Sequence, residues 1–229
     1  MRPHVICHMV TSLDGKVTGE FLASPACAAA TEVYYELNRN FKADAFACGS
    51  TTMISSFTFD FEPDLSPFQN AKLPREDHIA DPTAKYFAVS FDRRGRVGWQ
   101  ESRIHDEDPG YDDAHIIEVL SPAVSDAFLA YLQSIGVSYV FYDTLPHVLE
   151  KLRTLFGIKL LLLEGGSKIN GAFQRENLID ELSLVVAPVS ASADDKPLFY
   201  DSCSEAYILQ NVSQTGQTVC LHYKKEETK

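Results

Sequence analysis

A carboxylate, two glycines, a hydroxyl and an amine stand in line at Glu164-Gly165-Gly166-Ser167-Lys168. Glycines carry no Cβ, so an anionic ligand can approach their amides closely, and a helix that starts just after them adds the positive end of its dipole. That combination suits a phosphate or pyrophosphate, with Glu164 at its edge as a rigidly held hydrogen-bond acceptor. An ordinary strand-to-helix turn uses the same residues, with Glu164 ordering the turn or capping the helix, so the surroundings must discriminate. Two other polar clusters follow apolar runs, Ser12-Leu13-Asp14-Gly15-Lys16 and Gly49-Ser50-Thr51-Thr52. Asp14 suits a ligand or an acid, and equally a turn in which it bonds its own backbone; Lys16 suits a substrate phosphate or plain solvation.

The elements that must position these clusters are readable from periodicity. Strands are expected at 5–11, 43–48, 85–91, 115–120, 137–142, 158–163 and 181–187. Helices are expected at 26–40, 123–135, 145–156 and 168–176. In the first helix Val33, Leu37 and Phe41 share one face, while Glu32, Glu36 and Arg39 read as a solvated face. His8, inside the first strand, reads as a packed residue. Residues 55–84 mix Phe57, Phe59, Phe61 and Phe68 with Pro63, Pro67, Pro74 and Pro82, which predicts a long ordered loop; an acidic loop follows at 106–113. The stretches 206–212 and 217–223 flank Thr215-Gly216-Gln217 and predict an antiparallel hairpin. Alternating strands and helices imply a largely parallel sheet covered on both faces, with its ligand crevice at the carboxyl ends of the strands. All three polar clusters follow strands, so one shared site is expected.

Composition narrows the partners. The formal net charge of -12 leaves no basic stripe for nucleic acid. No apolar run is long enough to span a bilayer and no secretory signal is recognisable, which predicts a soluble, cytoplasmic protein. The five scattered cysteines, Cys7, Cys27, Cys48, Cys203 and Cys220, form no C-x-x-C pair, so neither disulfides nor a metal site are expected.

The three clusters, together with Leu178-Ile179-Asp180-Glu181-Leu182 and Ala187-Pro188, resemble the C-terminal reductase family of the riboflavin biosynthesis protein RibD. The resemblance runs from about residue 4 to about residue 224 in matching order and spacing. It implies an α/β, dihydrofolate-reductase-like, three-layer fold: a mostly parallel central mixed sheet flanked by helices, with a C-terminal antiparallel hairpin. Residues 1–229 would form one such domain, an NADPH-dependent reductase that is usually a homodimer and acts on a small molecule. By the same resemblance Gly165, Gly166, Ser167 and Lys168 bind the cofactor's phosphates, Val10 and Thr11 line its nicotinamide, and Gly49 and Thr52 border it. Arg93 lies by the adenosine half, where its planar donor fork suits a 2′-phosphate, with Arg94 and Ser90 as helpers. Glu164 faces the substrate as the catalytic carboxylate, and Asp14 and Lys16 belong to the substrate loop.

Two departures from the family matter. The zinc deaminase motifs that often precede this reductase are missing from the sequence, which reads as the reductase part alone. The loop after residue 52 begins Met53-Ile54-Ser55-Ser56-Phe57-Thr58-Phe59-Asp60, aromatic and acidic where the family usually reads a ribose phosphate with aspartate and arginine; Lys72 and Arg75 are its only basic residues before Lys85. The leading expectation is hydride transfer to a C=N or C=O group, with 5-amino-6-(5-phosphoribosylamino)uracil as one candidate substrate. A pterin or other small-molecule reductase on the same fold, and a dinucleotide-binding protein without turnover, are the alternatives.

Overall fold

The computed structural model describes residues 1–226. Its elements in chain order are β1 His4–Thr11, α1 Pro25–Phe41, β2 Ala45–Gly49, α2 Ser50–Met53, β3 Phe87–Phe91, β4 His115–Leu120, α3 Asp126–Ser134, β5 Ser138–Phe141, α4 Leu145–Leu155, β6 Leu160–Leu163, α5 Ser167–Arg175, β7 Glu181–Val186, β8 Tyr207–Thr215 and β9 Thr218–Lys225. The chain divides into two compact units, one of residues 1–3 and 44–159 and one of residues 4–43 and 160–229.

In the first unit the strands run in the order β5-β4-β3-β2, all parallel. Every residue of β3, β4 and β5 is buried. Such continuous apolar runs are what a sheet covered on both faces demands. The helices start where side chains cap them: Ser125 Oγ accepts from Phe128 N–H and Thr144 Oγ1 from His147 N–H. These caps, with Gly136 and Gly157 at positive φ after the helices, trim the expected 123–135 and 145–156 to the observed lengths. Between β2 and β3, residues 54–86 hold a π-helical turn at Ile54–Thr58, a single 3₁₀ turn at Ser66–Phe68 and otherwise irregular backbone. That is the ordered loop its prolines predict.

In the second unit the order is β6-β1-β7-β9-β8, with β6, β1 and β7 parallel and β9 and β8 antiparallel. Helix α1 packs against β1 and β7. The hairpin is longer than expected, because pairing continues from Tyr207↔Lys225 to Thr215↔Thr218 through an irregularity between Leu209 and Asn211. Strand β8 is almost wholly exposed, whereas seven of the eight residues of β1 are buried. Together the two units have the predicted α/β character, with parallel strands, flanking helices and a C-terminal hairpin.

Candidate active site

In the second unit the site is made by the way strand pairing ends. β6 pairs with β1 only from His4↔Leu160 to Cys7↔Leu163, while β7 follows β1 on the other side as far as Thr11↔Val186. Strand β1 therefore runs four residues beyond its last β6 partner, and β6 turns away at Glu164. This splay is the crevice geometry of parallel sheets, and backbone groups of residues 8–11 border it. Val10 itself packs inward with Phe21, Cys27, Val185 and Ala187, so its main chain is what it can offer a ligand.

Gly165 takes φ 92°, which favours glycine, and a Cβ there would lie 3.0 Å from Met9 Cε and press that side chain aside. The Gly165–Gly166 peptide is cis. Gly166 is the N-cap of α5, with no side chain capping it, which leaves the first-turn amides available to an anion. The Ser167 hydroxyl donates instead to the Pro197 carbonyl, and Ser167 C=O accepts from Tyr200 N–H at 3.1 Å. What Ser167 can offer a phosphate is thus its amide. Lys168 is exposed, its Nζ 6.0 Å from the Tyr200 ring centroid. These residues fit a dinucleotide: a cradle that a Cβ would fill, uncapped amides and an exposed cation at the helix start.

Glu164 is 7% exposed and accepts a hydrogen bond from Asn38 Nδ2 at 2.7 Å. Beside it burial, then the Glu164 charge, pushes the Cys7 thiol far above its usual range, so Cys7 is inert. His8 is fully buried, stacked on Tyr34 at 4.2 Å. Its Nε2 donates to the Tyr34 carbonyl and its Nδ1 lies 3.0 Å from Ser183 Oγ. Burial lowers its pKa to about 4, which makes it the packed neutral histidine expected.

Asp14 and Lys16 hold the loop to residues 189–197. Asp14 Oδ1 accepts from Ala191 N–H at 2.9 Å and Ser12 Oγ at 2.7 Å, and these bonds keep its carboxyl below the usual range. Lys16 Nζ donates to the carbonyls of Ala193 and Asp195. An open cavity of about 680 Å³ lies alongside, lined by Phe21, Ser24, Val189, Ala191 and Asp195 among others.

In the first unit Gly49 ends β2, and Ser50 and half-buried Thr52 open α2. Arg93 follows β3, exposed, with its guanidinium 4.3 Å from the Tyr142 ring centroid. Its turn is organised by fully buried Asp92, which accepts from the Arg96 and Val97 amides. Arg96 also donates to Ser50 Oγ at 2.6 Å, tying the β3 turn to the start of α2.

Three residues in these arrangements escape a reading of the sequence. Asn38, the donor to Glu164, is a buried polar side chain on a helix whose polar positions read as solvated. Asp92 and Glu118 are carboxylates inside or beside apolar runs. The only signal for any of them is a polar residue at a position that the period assigns to the interior.

Residues 118–221 match the model of the RibD C-terminal domain. A 2,5-diamino-6-ribosylamino-4(3H)-pyrimidinone 5′-phosphate reductase of Archaeoglobus fulgidus is 22% identical over 203 residues, covering 88% of this chain and 87% of the relative. Among solved structures, RibD of Acinetobacter baumannii superposes with a TM-score of 0.68 at 21% identity, over 98% of this chain and 58% of that one. This chain thus spans little more than half the length of that RibD. A pyrimidine reductase-like protein of Corynebacterium diphtheriae gives 0.69 at 17% identity, covering 99% and 93%. A riboflavin biosynthesis reductase of Saccharomyces gives 0.61 at 14%, covering 98% and 90%. At these identities the structural likenesses establish the fold, the dihydrofolate-reductase-like architecture of RibD-type reductases. The family whose model matches residues 118–221 is thus the one that the strand-end motifs of this chain resemble.

Proposed function

We propose that this protein is an NADPH-dependent reductase that delivers a hydride to a small C=N or C=O substrate, with residues 1–229 acting as one reductase domain. The observation that carries the reading is the departure of β6 from β1 at Glu164, beside an uncapped helix start and a glycine at φ 92°. When bound, NADPH supplies the hydride. The chain's own part is binding and orientation. The amides of Gly165, Gly166 and Ser167, with Lys168, hold the phosphates; Gly49 and Thr52 border the cofactor, and Arg93 takes the 2′-phosphate. Main-chain groups near Val10 fix the nicotinamide face. Glu164, held by Asn38, accepts hydrogen bonds from substrate N–H or O–H groups and stabilises positive charge that develops during transfer. Asp14 and Lys16 shape the substrate loop through residues 189–197. A cytoplasmic homodimer accords with the family, and light scattering tests the dimer.

The substrate that the relatives' names suggest is a phosphoribosylated pyrimidine. One observation favours a second reading, a less charged substrate such as a pterin. Arg75, one of three Lys or Arg residues in the loop after α2, is already bonded to Asp126 and to the carbonyls of Leu73, Pro122 and Val124.

The test is NADPH oxidation, followed by absorbance, with the phosphoribosylated pyrimidine, its dephosphorylated form and a dihydropterin offered in parallel. Turnover of the phosphorylated pyrimidine supports the first substrate, and turnover of the uncharged ones the second. NADP binding without turnover of any of them would make the protein a dinucleotide binder, and an absence of NADP binding would overturn the reading altogether.

A further inference from the structure

Beside the Arg93 turn lie two buried carboxyl groups, Asp92 and Glu118. Glu118 sits in β4 directly opposite Ser90 of β3 and Tyr139 of β5, and all three are buried. The indole of Trp99 donates to Glu118 Oε1. Asp92 follows Ser90 by two residues and spends Oδ2 on the Arg96 and Val97 amides. That leaves Ser90 Oγ, Asp92 Oδ1 and Glu118 Oε2 buried with no hydrogen-bond partner among the described residues. The Ser90 hydroxyl carries one proton to donate, so with both carboxyls ionised at least one of the two carboxylate oxygens would bear its full desolvation cost.

A proton on Glu118 changes that balance. It removes one of two like charges from the buried core. Burial and the Asp92 charge push the Glu118 carboxyl well above its usual range, more than the Trp99 indole and the nearby Ser90 hydroxyl offset. The charged groups around the pair are few. Asp92 acts on Glu118 through its charge, and the Arg96 guanidinium, half exposed, lies 3.7 Å from Asp92 Oδ1. Tyr139, from β5, bonds Gln133 through its hydroxyl.

We propose that Glu118 is a positioning residue: the proton it holds keeps the site beside Asp92 from carrying a second charge and so fixes the Asp92–Val97 turn, and that turn presents Arg93 for phosphate recognition. The inference rests on the reading of Arg93 as the contact to the cofactor's 2′-phosphate. Loss of the proton to hydroxide leaves two carboxylates side by side. Asp92 then withdraws from the Arg96 and Val97 amides, and Arg93 loses its fixed place over Tyr142.

The chain holds a single tryptophan, and it is the one bonded to Glu118. Its fluorescence therefore reports the proton, the amide NMR signals of Arg96 and Val97 report the turn, and calorimetry with adenosine 2′,5′-bisphosphate reports Arg93. As pH rises on the alkaline side, all three should follow one titration in the wild type, with affinity falling by about tenfold. In Glu118→Gln, which keeps the acceptor for Trp99 and carries no charge, all three should stay flat and affinity should remain at its neutral-pH value. In Asp92→Asn the bisphosphate should bind weakly at every pH. Identical pH dependence in the wild type and Glu118→Gln would overturn the proposal. If the bisphosphate fails to bind at any pH, the 2′-phosphate reading of Arg93 is what fails; tryptophan and amide signals that titrate together, and only with Glu118 present, would still support the proton and turn.

Discussion

Glu164 and Glu118 are both buried glutamates in parallel-strand regions, and they are built for opposite purposes. Glu118 lies inside β4, fully buried, with a second carboxylate beside it and an indole as its donor. Glu164 lies just past the end of β6, slightly exposed, with a neutral amide from Asn38 as its donor. A neighbouring carboxylate favours a neutral, proton-holding acid, while an amide donor favours an acceptor ready for a ligand. Position along the strand decides which is useful. Inside a strand a carboxyl meets only protein, whereas at a strand end it meets the crevice.

The sharpest way to break the comparison is to neutralise Glu164. Glu164→Gln should lower kcat by about 100-fold or more, the usual cost of losing one electrostatic contact to a reacting centre. Its melting temperature should shift by less than about 3 °C, since the amide keeps an acceptor for Asn38. Steady-state kinetics with NADPH, alongside calorimetry, checks both. A fully active Glu164→Gln would remove the distinction between the two glutamates.

Next in size is truncation of the other member. Glu118→Ala strands the Trp99 N–H and opens a void in β4, at a cost of about 3 kcal/mol. For a chain of 229 residues that is a fall in Tm of roughly 6 to 12 °C. A loss below about 1 kcal/mol in chemical denaturation would mean that the pair contributes little to the core.

The two regions should also fail at opposite ends of the pH scale. Glu118 has a raised pKa in the fold, so its stability contribution is complete at low pH and is lost as pH rises through that value. His8, which stacks on the helix that carries Asn38, has a folded pKa of about 4 against an ordinary 6.5. Its contribution is therefore complete above about 6.5 and is lost as pH falls toward 4, by up to about 3 kcal/mol. Replacing it by His8→Gln, which does not titrate, should make the acid side of the stability curve shallower, with the share of His115, also lowered to about 4 by burial, remaining, and leave the alkaline side alone. Urea denaturation across that range measures it; an unchanged acid limb would place the acid-labile group elsewhere.

How much of this was legible follows from what is local. The buried runs of β3, β4 and β6 announce strands because a sheet covered on both faces needs unbroken apolar residues. The Gly165–Gly166 corner announces itself because φ 92° beside Met9 favours glycine. Arg93 is visible as a charge after a strand. The end of the β1–β6 register at Cys7 is not visible, because pairing between residues more than 150 positions apart leaves no local mark. Asn38 is hidden for the same reason: its value comes from Glu164, 126 residues away. Glu118 stands in plain view within His-Ile-Ile-Glu-Val-Leu, yet its meaning depends on Asp92 and Trp99, which only the fold brings to it.

The smallest effect supplies the control. Glu101 also has a close partner, His105 Nε2 at 2.9 Å, but their side chains are 65% and 69% exposed. If the number of hydrogen bonds set the importance of a carboxylate, Glu101→Gln would resemble the buried variants. Water competes for both partners at this exposure, and salt screens what remains, so the expected change in Tm is below about 2 °C. Adding salt should shrink even that difference. A larger shift, insensitive to salt, would mean that the 97–105 segment depends on the Glu101–His105 pair, and that burial is not what separates Glu118 and Glu164 from the other acidic residues of the chain.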